Sequence, residues 1–364
     1  MKIDILSDRH GGQGGMETVF TMLGRELRSR GVDVRFVLTQ PSESPQWEET
    51  LGDVCHIIED VSLLSQLDYR RYRAVLNFEI ENFYHQEEKP DVVLVAISGW
   101  ETAVRRGVGS DSIILSWPHF TLNLSIGPDG DDEIKALADA DALVAIAPSI
   151  QAESMRKHPN LPTFVIGNPI ELHVNEIPRP SDVPTFLYIG RLVGQKRVDW
   201  IIKAFARIRT KPWRLKIIGG GILESSLKQL AGQLGIQRRI EWVPFQEEPW
   251  NCVNEASALL LMSQYEGFPM VILEALARGV PVIAADCPTG PSDIIKDGEN
   301  GYLVGVDDYD SFVDTILDVI DGNLDLPEPD VCRASVEMYE ATVVVDRLLS
   351  VIRTVEQQGE VLVK

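Results

Sequence analysis

Cysteine is scarce in this chain. Four residues in 364, Cys55, Cys252, Cys287 and Cys332, are scattered with no metal-ligand spacing. That excludes a disulfide-stapled scaffold and fits reduced, buried thiols in a cytoplasmic protein. Long apolar runs are missing too: nowhere do about 18 apolar residues run uninterrupted, so no transmembrane helix is expected. The opening MKIDILSD lacks a basic stretch followed by a long apolar one, so no signal peptide is expected either. Positive charge is short: 34 Lys and Arg face 55 Asp and Glu, for a net charge of −21. Such a surface repels nucleic acid and anionic lipid on average. Nucleic acid is therefore not expected as a partner, and membrane association is at most peripheral, at the inner face. One local basic patch stands out, YRRYR at Tyr69 to Arg73, which reads more simply as a solvated helix face. The chain also has no internal repeat and no H-E-x-x-H, G-x-S-x-G or Walker pattern, which excludes solenoids and three common hydrolase chemistries.

What it does have is a steady alternation of short apolar runs and amphipathic segments. At 364 residues the chain exceeds the size at which one core usually divides, so two domains are expected. In the first half the strand candidates are KIDILS, VDVRFVL, DVCHII, DVVLVAIS, SIILSW, ALVAIA and TFVIG, with helical segments such as METVFTMLGRELRSRG between them. The second half restarts with PTFLYIG, WRLKIIG, IEWVPF, ALLLMS, VPVIAA and GYLV. Its helices include VDWIIKAFARIR, LESSLKQLAGQLG and DYDSFVDTILDVIDG. Strands alternating with helices imply doubly wound parallel sheets, here twice. The break falls in ELHVNEIPRPSDVP, which is rich in proline and charge and has no periodicity. The expected organisation is a first α/β domain over residues 1–172, a linker over 173–184 and a second α/β domain over 185–330. A last helix, about Val331 to Gln358 within residues 331–364, is expected to follow the proline-rich LDLPEPD.

Ligands of open parallel sheets bind beyond the carboxyl ends of strands, at helix N-termini, and the informative motifs sit there. SDRHGGQGGMET follows the first strand and opens a helix. Its glycines, Gly14 and Gly15 among them, suit close approach of a phosphate to free N–H groups, or a tight turn with no ligand. The spacing is not the G-x-G-x-x-G of dinucleotide sites. LYIGRLVGQKRVD repeats the geometry in the second domain, and its Arg191 and Lys196 are suited to a diphosphate or are surface charges. IIGGG, with Gly219, marks another strand end. SWPHF puts His119 at a first-domain strand end, where it is a functional or a structural histidine. DCPTGPSDII, with Gly290, Pro291 and Asp293, reads as the loop before another helix. Asp129-Gly130-Asp131 spells D-x-D, but no apolar strand leads into it, so it reads as a turn and helix cap rather than a metal site. EGFPMVILE raises the sharpest question. Glu266 lies on a loop, while Glu274 falls inside the apolar run VILEAL, where an ionised carboxylate needs a partner. Ligand hydroxyls would serve, and so would nearby backbone N–H groups.

Taken together, G-G-x-G-G, G-R-x(4)-K and E-G-F-P-x(4)-E, in order at the expected strand ends, resemble glycosyltransferase family 4, retaining enzymes of the GT-B fold. SWPHF, GRLVGQKRV, EGFPM and CPTGPSDII look more specifically like its bacterial lipopolysaccharide 1,6-galactosyltransferase branch. The resemblance covers nearly the whole chain. It implies two Rossmann-like domains facing across a cleft, with the final helix returning to the first domain. Arg191 and Lys196 would bind the diphosphate of a UDP-sugar donor, with Gly14 and Gly15 closing over it. Glu274 would take the ribose hydroxyls. Glu266 would face the donor sugar, and Gly267, Phe268, Pro269, Met270 and Val271 would touch sugar and phosphate. Val243 and Phe245, within Val243 to Gln246, would border the nucleobase, Gly219 would lie nearby, and His119 would contact the hexose.

The implied reaction transfers a hexose, galactose or glucose favoured, to a hydroxyl of a glycan, glycoprotein or glycolipid acceptor, with no metal and no cofactor. The chain departs from the basic first-domain face of membrane-working relatives, which brings soluble and protein-linked acceptors forward. Catalysis would rest on Glu266, His119, Arg191 and Lys196, the cations stabilising the leaving group. Glu266 is not assigned as a nucleophile. Two alternatives remain: a nucleotide-sugar epimerase on the same fold, and an inactive nucleotide-sugar-binding partner subunit.

Overall fold

A computed structural model describes residues 1–8, 14–59, 61, 64, 67–119, 135–208 and 211–362. The chain divides into two compact units, Met1–Pro169 with Ala341–Lys364, and Ile170–Glu340.

In the first unit the strands are β1 (Lys2–Ser7), β2 (Asp33–Leu38), β3 (Val54–His56), β4 (Val92–Val95), β5 (Ile113–Ser116), β6 (Ala142–Ala145) and β7 (Thr163–Val165). They form one sheet in the order β3-β2-β1-β4-β5-β6-β7, parallel at every pairing. The second unit contributes β8 (Thr185–Ile189), β9 (Arg214–Ile218), β10 (Ile240–Val243), β11 (Ala258–Leu261), β12 (Val282–Asp286) and β13 (Gly301–Gly305). Their order, β10-β9-β8-β11-β12-β13, is again parallel throughout. Every apolar run singled out in the sequence is one of these strands. Central strands of a parallel sheet are covered on both faces, so they are apolar without alternation. VVLV in β4 and ALLL in β11 are fully buried for that reason.

Helices supply the cover. In the first unit Leu76, Ile80 and Tyr84 of Tyr69–Gln86 pack with Val104 and Val108 of Glu101–Val108 over β4 and β5. In the second, Ile201, Ile202 and Phe205 of Val198–Arg207 pack with Trp213, Ile217 and Phe312. Each such side chain taken from water contributes about 1.5–3 kcal/mol. YRRYR opens helix Tyr69–Gln86, where exposed Arg71 is held beside the capping Asp68. Among the described residues no helix is long and apolar enough to cross a membrane.

Two expectations need correcting. The single helix expected over Val331 to Gln358 is two, Pro329–Ala334 and Ala341–Leu362, separated by a 3-10 turn at Glu337–Tyr339. The break is made by tertiary pairing, since Ile170 N–H donates to the Tyr339 carbonyl at 2.8 Å and Ile170 bridges Glu340. The first of these helices belongs to the second unit and the longer one to the first. There Val344, Val345 and Leu348 are buried, and Arg30 donates to Asp346 at 3.0 Å and to the Thr342 carbonyl at 3.1 Å. The segment 173–184 is not a free linker. Ile177 N–H donates to the Arg278 carbonyl, Ala256 N–H to the Pro178 carbonyl, and Arg179 to the Pro327 carbonyl at 2.7 Å.

Asp4 and Arg35 face one another across β1 and β2 and form a two-pronged ion pair at 3.0 and 2.7 Å, with the Asp4 side chain fully buried. Removing the cation strands a carboxylate in apolar surroundings. Arg35→Met should cost the first unit about 3–5 kcal/mol, and Asp4→Leu added to it should recover most of that. Urea denaturation of both variants checks this; a single variant as stable as the parent contradicts it.

Candidate functional site

In each sheet the chain runs outward on one side and then crosses to the other, so neighbouring central strands send their loops in opposite directions. That switch point opens a crevice at the strand ends. In the second sheet it lies between β8 and β11, and it brings together the two motifs with the most charge. Gln264 N–H donates to the Gln195 carbonyl at 2.9 Å, and the Gln195 amide to the Tyr265 carbonyl at 2.7 Å. Between these ties the Lys196 ammonium meets Glu266 Oε1 at 2.5 Å, with side chains only 14% and 8% exposed. Ser263 Oγ donates to the same oxygen. Arg191, two residues beyond β8, is exposed and forms no ion pair among the described residues. Its carbonyl accepts from the Tyr188 hydroxyl at 2.8 Å. Burial holds that phenol far above its ordinary pKa, and the Glu266 charge pushes the same way, so it stays a donor.

The EGFPM segment is clamped from behind by the loop after β12. Glu266 N–H donates to the Pro288 carbonyl at 2.9 Å, and Thr289 Oγ1 donates to the carbonyls of Glu266 and Gly267, each at 3.1 Å. Gly290 has φ +96°, and a Cβ there would lie 2.7 Å from Pro269 Cδ, so only glycine lets the loops close this far. Phe268 packs its ring 5.6 Å from Tyr339, and Pro269 caps the helix Met270–Ala277. Met270 is buried and Val271 half-buried. Cys287 in the clamp is no nucleophile, because burial, with the Glu266 charge second, pushes its thiol up to about 12.

Glu274 lies one turn into that helix, half-buried. Its carboxylate accepts from the Trp250 indole N–H at 2.9 Å. The Arg278 guanidinium donates to the Glu274 carbonyl at 3.0 Å and stacks 4.8 Å from the Trp250 ring. Burial raises the Glu274 pKa above its ordinary value, and the Trp250 hydrogen bond and Arg278 charge only partly oppose it. A protein partner for the carboxylate thus exists. It is an indole N–H rather than the backbone.

The other expected residues divide by unit. Gly219 N–H donates to the Val243 carbonyl at 3.0 Å, and a Cβ on Gly219 would lie 2.0 Å from the Gly190 carbonyl oxygen. That glycine therefore has a backbone reason of its own. Val243 is half-buried and Phe245 is 43% exposed. In the first unit Gly14 precedes the helix Gly15–Ser29, and the Glu17 carboxylate folds against it, 2.6 Å from where a Cβ would be. His119 is buried, edge-on to Trp117 at 4.2 Å and 6.1 Å from Phe20 of that helix. Asp129 to Asp131, and the glycines at 11 and 12, lie outside the described residues. Sequence reading missed Ser263, Thr289, Trp250 and Tyr188. For Ser263, Thr289 and Trp250 the available signal was placement after or between strands, whereas Tyr188 lies within β8.

Known proteins resemble this chain in sequence and fold. The family described as Glycosyl transferases group 1 matches residues 169–333. The lipopolysaccharide 1,6-galactosyltransferase of Escherichia coli (strain K12) is 31% identical over 366 residues, 97% of this chain and 98% of that protein. Its counterpart in Salmonella typhimurium is also 31% identical, over 93% of this chain and 95% of its own length. Among solved structures, the lipopolysaccharide outer core galactosyltransferase WaaB in its apo form superposes with a TM-score of 0.82 at 28% identity, covering 97% and 99% of the two chains. Anabaena HepE in complex with UDP gives a TM-score of 0.76 at 17% identity over 97% and 100%, a likeness of fold.

The raised Glu274 pKa sets a sign for stability. Between the ordinary value of 4.5 and the raised one, the folded chain holds more proton than the unfolded chain. Stability therefore falls as pH rises through that window. Glu274→Gln abolishes this slope, so its stability relative to the parent should grow with rising pH and then level off. Urea midpoints of both proteins between pH 5 and pH 8 measure it. A relative stability that falls with pH would mean that Trp250 and Arg278 outweigh burial.

Proposed function

The chain belongs to the group 1 glycosyl transferases, and from that premise we propose that it transfers a hexose from a UDP-sugar to a hydroxyl of a glycan, protein-linked or lipid-linked acceptor. Its fold is GT-B, two Rossmann-like units. In this reading it is a family 4 enzyme that retains anomeric configuration, needs no metal and takes galactose in preference to glucose. The preference for galactose is supported by full-length kinship with two 1,6-galactosyltransferases.

One observation carries the mechanism: the Lys196–Glu266 pair at the switch point, with Arg191, which forms no ion pair among the described residues, on the same connection after β8. Breaking a sugar–phosphate bond puts charge on the departing diphosphate. Two cations at the ends of β8 supply fixed stabilisation where that charge develops. Lys196 has three N–H groups and gives one to Glu266, leaving two for phosphate. Arg191 keeps its whole donor fork. The N–H groups opening the helix Met270–Ala277 add a positive dipole end.

The bond from the anomeric carbon to the diphosphate breaks as the acceptor oxygen bonds to that carbon from the same face. The acceptor proton passes to the departing phosphate oxygen. Glu266 takes donor-sugar hydroxyls at Oε2, because Lys196 and Ser263 already occupy its Oε1, and it is not assigned as a nucleophile. Glu274 takes the ribose hydroxyls, with Val243 and Phe245 bordering the base. Thr289 and Gly290 hold the Glu266 loop in register.

Arg191→Ala and Lys196→Ala should each weaken UDP-galactose binding or turnover more than about tenfold, or 1.4 kcal/mol. Steady-state kinetics with a panel of UDP-sugars and acceptor glycans tests this, and undiminished turnover in either variant contradicts the assignment. Activity abolished by chelator and restored by a divalent ion would contradict metal independence. Glu266→Gln should lower turnover at saturating donor at least about a hundredfold, since the hydroxyls it orients matter most in the transition state. It should leave UDP affinity equal or tighter, because Lys196 loses a competing anion. Calorimetric UDP titration that shows the variant binding more weakly would assign Glu266 to ground-state binding instead.

A further inference from the structure

We propose that Trp250 is the positioning residue for nucleotide recognition: its indole N–H fixes one oxygen of Glu274 so that the other is presented to the ribose. This rests on the reading that Glu274 takes the ribose hydroxyls.

Glu274 sits on a helix whose other faces are apolar, and Ile272, Leu273, Ala275 and Leu276 around it are buried. A carboxylate there has a rotamer to choose and little water to share. Its Oε2 accepts the Trp250 N–H at 2.9 Å, and among the described residues no other hydrogen bond reaches the carboxylate. Oε1 is left with its acceptor capacity unspent, and hydroxyls are the natural donors to it. An acceptor already held in place loses less freedom on binding than a mobile one.

Trp250 is itself held. It lies on a 3-10 turn, Pro249–Cys252, between β10 and β11. Lys216 on β9 donates to the Cys252 carbonyl at 2.6 Å, and Val253 N–H donates to the Trp250 carbonyl at 3.1 Å. The Arg278 guanidinium lies 4.8 Å from the indole ring, and its N–H ties back to the Glu274 carbonyl. Turn, indole and guanidinium thus form a closed brace around one carboxylate. The charged groups acting on Glu274 are Arg278, which favours its ionised form, and Glu248 just before the turn, which disfavours it. The N–H of Trp250 supports ionisation as well, so removing it should make the carboxylate harder to ionise.

Full-length Trp250→Phe keeps a ring under Arg278 and loses the N–H. Its affinities for UDP and for 2′,3′-dideoxy-UDP, measured by calorimetry from pH 6 to pH 8, separate hydroxyl recognition from everything else; the ratio cancels the titration of the diphosphate. The parent should prefer UDP by at least about tenfold, and Trp250→Phe should reduce that preference about three- to tenfold while dideoxy-UDP affinity holds within about twofold. The variant's remaining preference should fade at a higher pH than the parent's as the solution is acidified. Should the variant not fold, 3-benzothienylalanine at position 250, which keeps the ring shape without an N–H, takes its place. A parent-like preference in Trp250→Phe with a reduced one in Glu274→Gln would overturn the role of Trp250 alone. A parent-like preference in both would overturn the ribose reading with it. Equal loss of both nucleotides would also overturn the proposal, since positioning acts through the hydroxyls only.

Discussion

A half-buried ammonium after β8 and a buried carboxylate after β11, Lys196 and Glu266, tie together the segments leaving the two central strands of the second sheet. Each charge offsets the desolvation cost of the other, which for a lone buried ion is several kcal/mol. The neighbourhood is arranged around the pair. Ser263 adds a hydrogen bond to it, and the Tyr188 phenol and Cys287 thiol both feel the Glu266 charge. Thr289 and Gly290 fix the backbone on which Glu266 rides. The two charges are therefore one electrostatic unit, and a change to either is felt by the other.

Glu274 is under the opposite constraint. It lies in an apolar helix, and burial makes its charge a burden to the fold. The residues around it lower that burden without removing it: one neutral donor, Trp250, and one cation, Arg278.

Much of the fold was legible because parallel strands are buried on both faces and so stand out as unbroken apolar runs. DVVLVAIS and ALLLMS need no context to be read. What was not legible depended on partners far along the chain. Nothing in ASVEMYEATV breaks a helix locally; Ile170, remote in sequence, intercepts the Tyr339 carbonyl. Pro178 and Arg179 look like linker residues until their bonds to Ala256 and Pro327 are seen. In the candidate site the charged motifs were visible because glycine, proline and carboxylate together are unusual at a strand end. The side chains that orient them were not. Trp250 is 24 positions from Glu274 and Thr289 is 23 from Glu266, so no short motif could contain either pair. Gly219 carries the opposite lesson. Its proximity to Gly190 accounts for glycine there without any ligand.

The path of the chain between its two units also bears on how the protein is made. The second unit, Ile170–Glu340, interrupts the first, whose last helix arrives only with residues 341–362. Val344, Val345 and Leu348 of that helix belong to the first core, and Arg30 waits for Asp346 and Thr342. A ribosome reading from the N-terminus therefore finishes the interior unit before the outer one. The unit begun first is completed last, with an apolar face uncovered for the whole interval in which its insert is synthesised and folds.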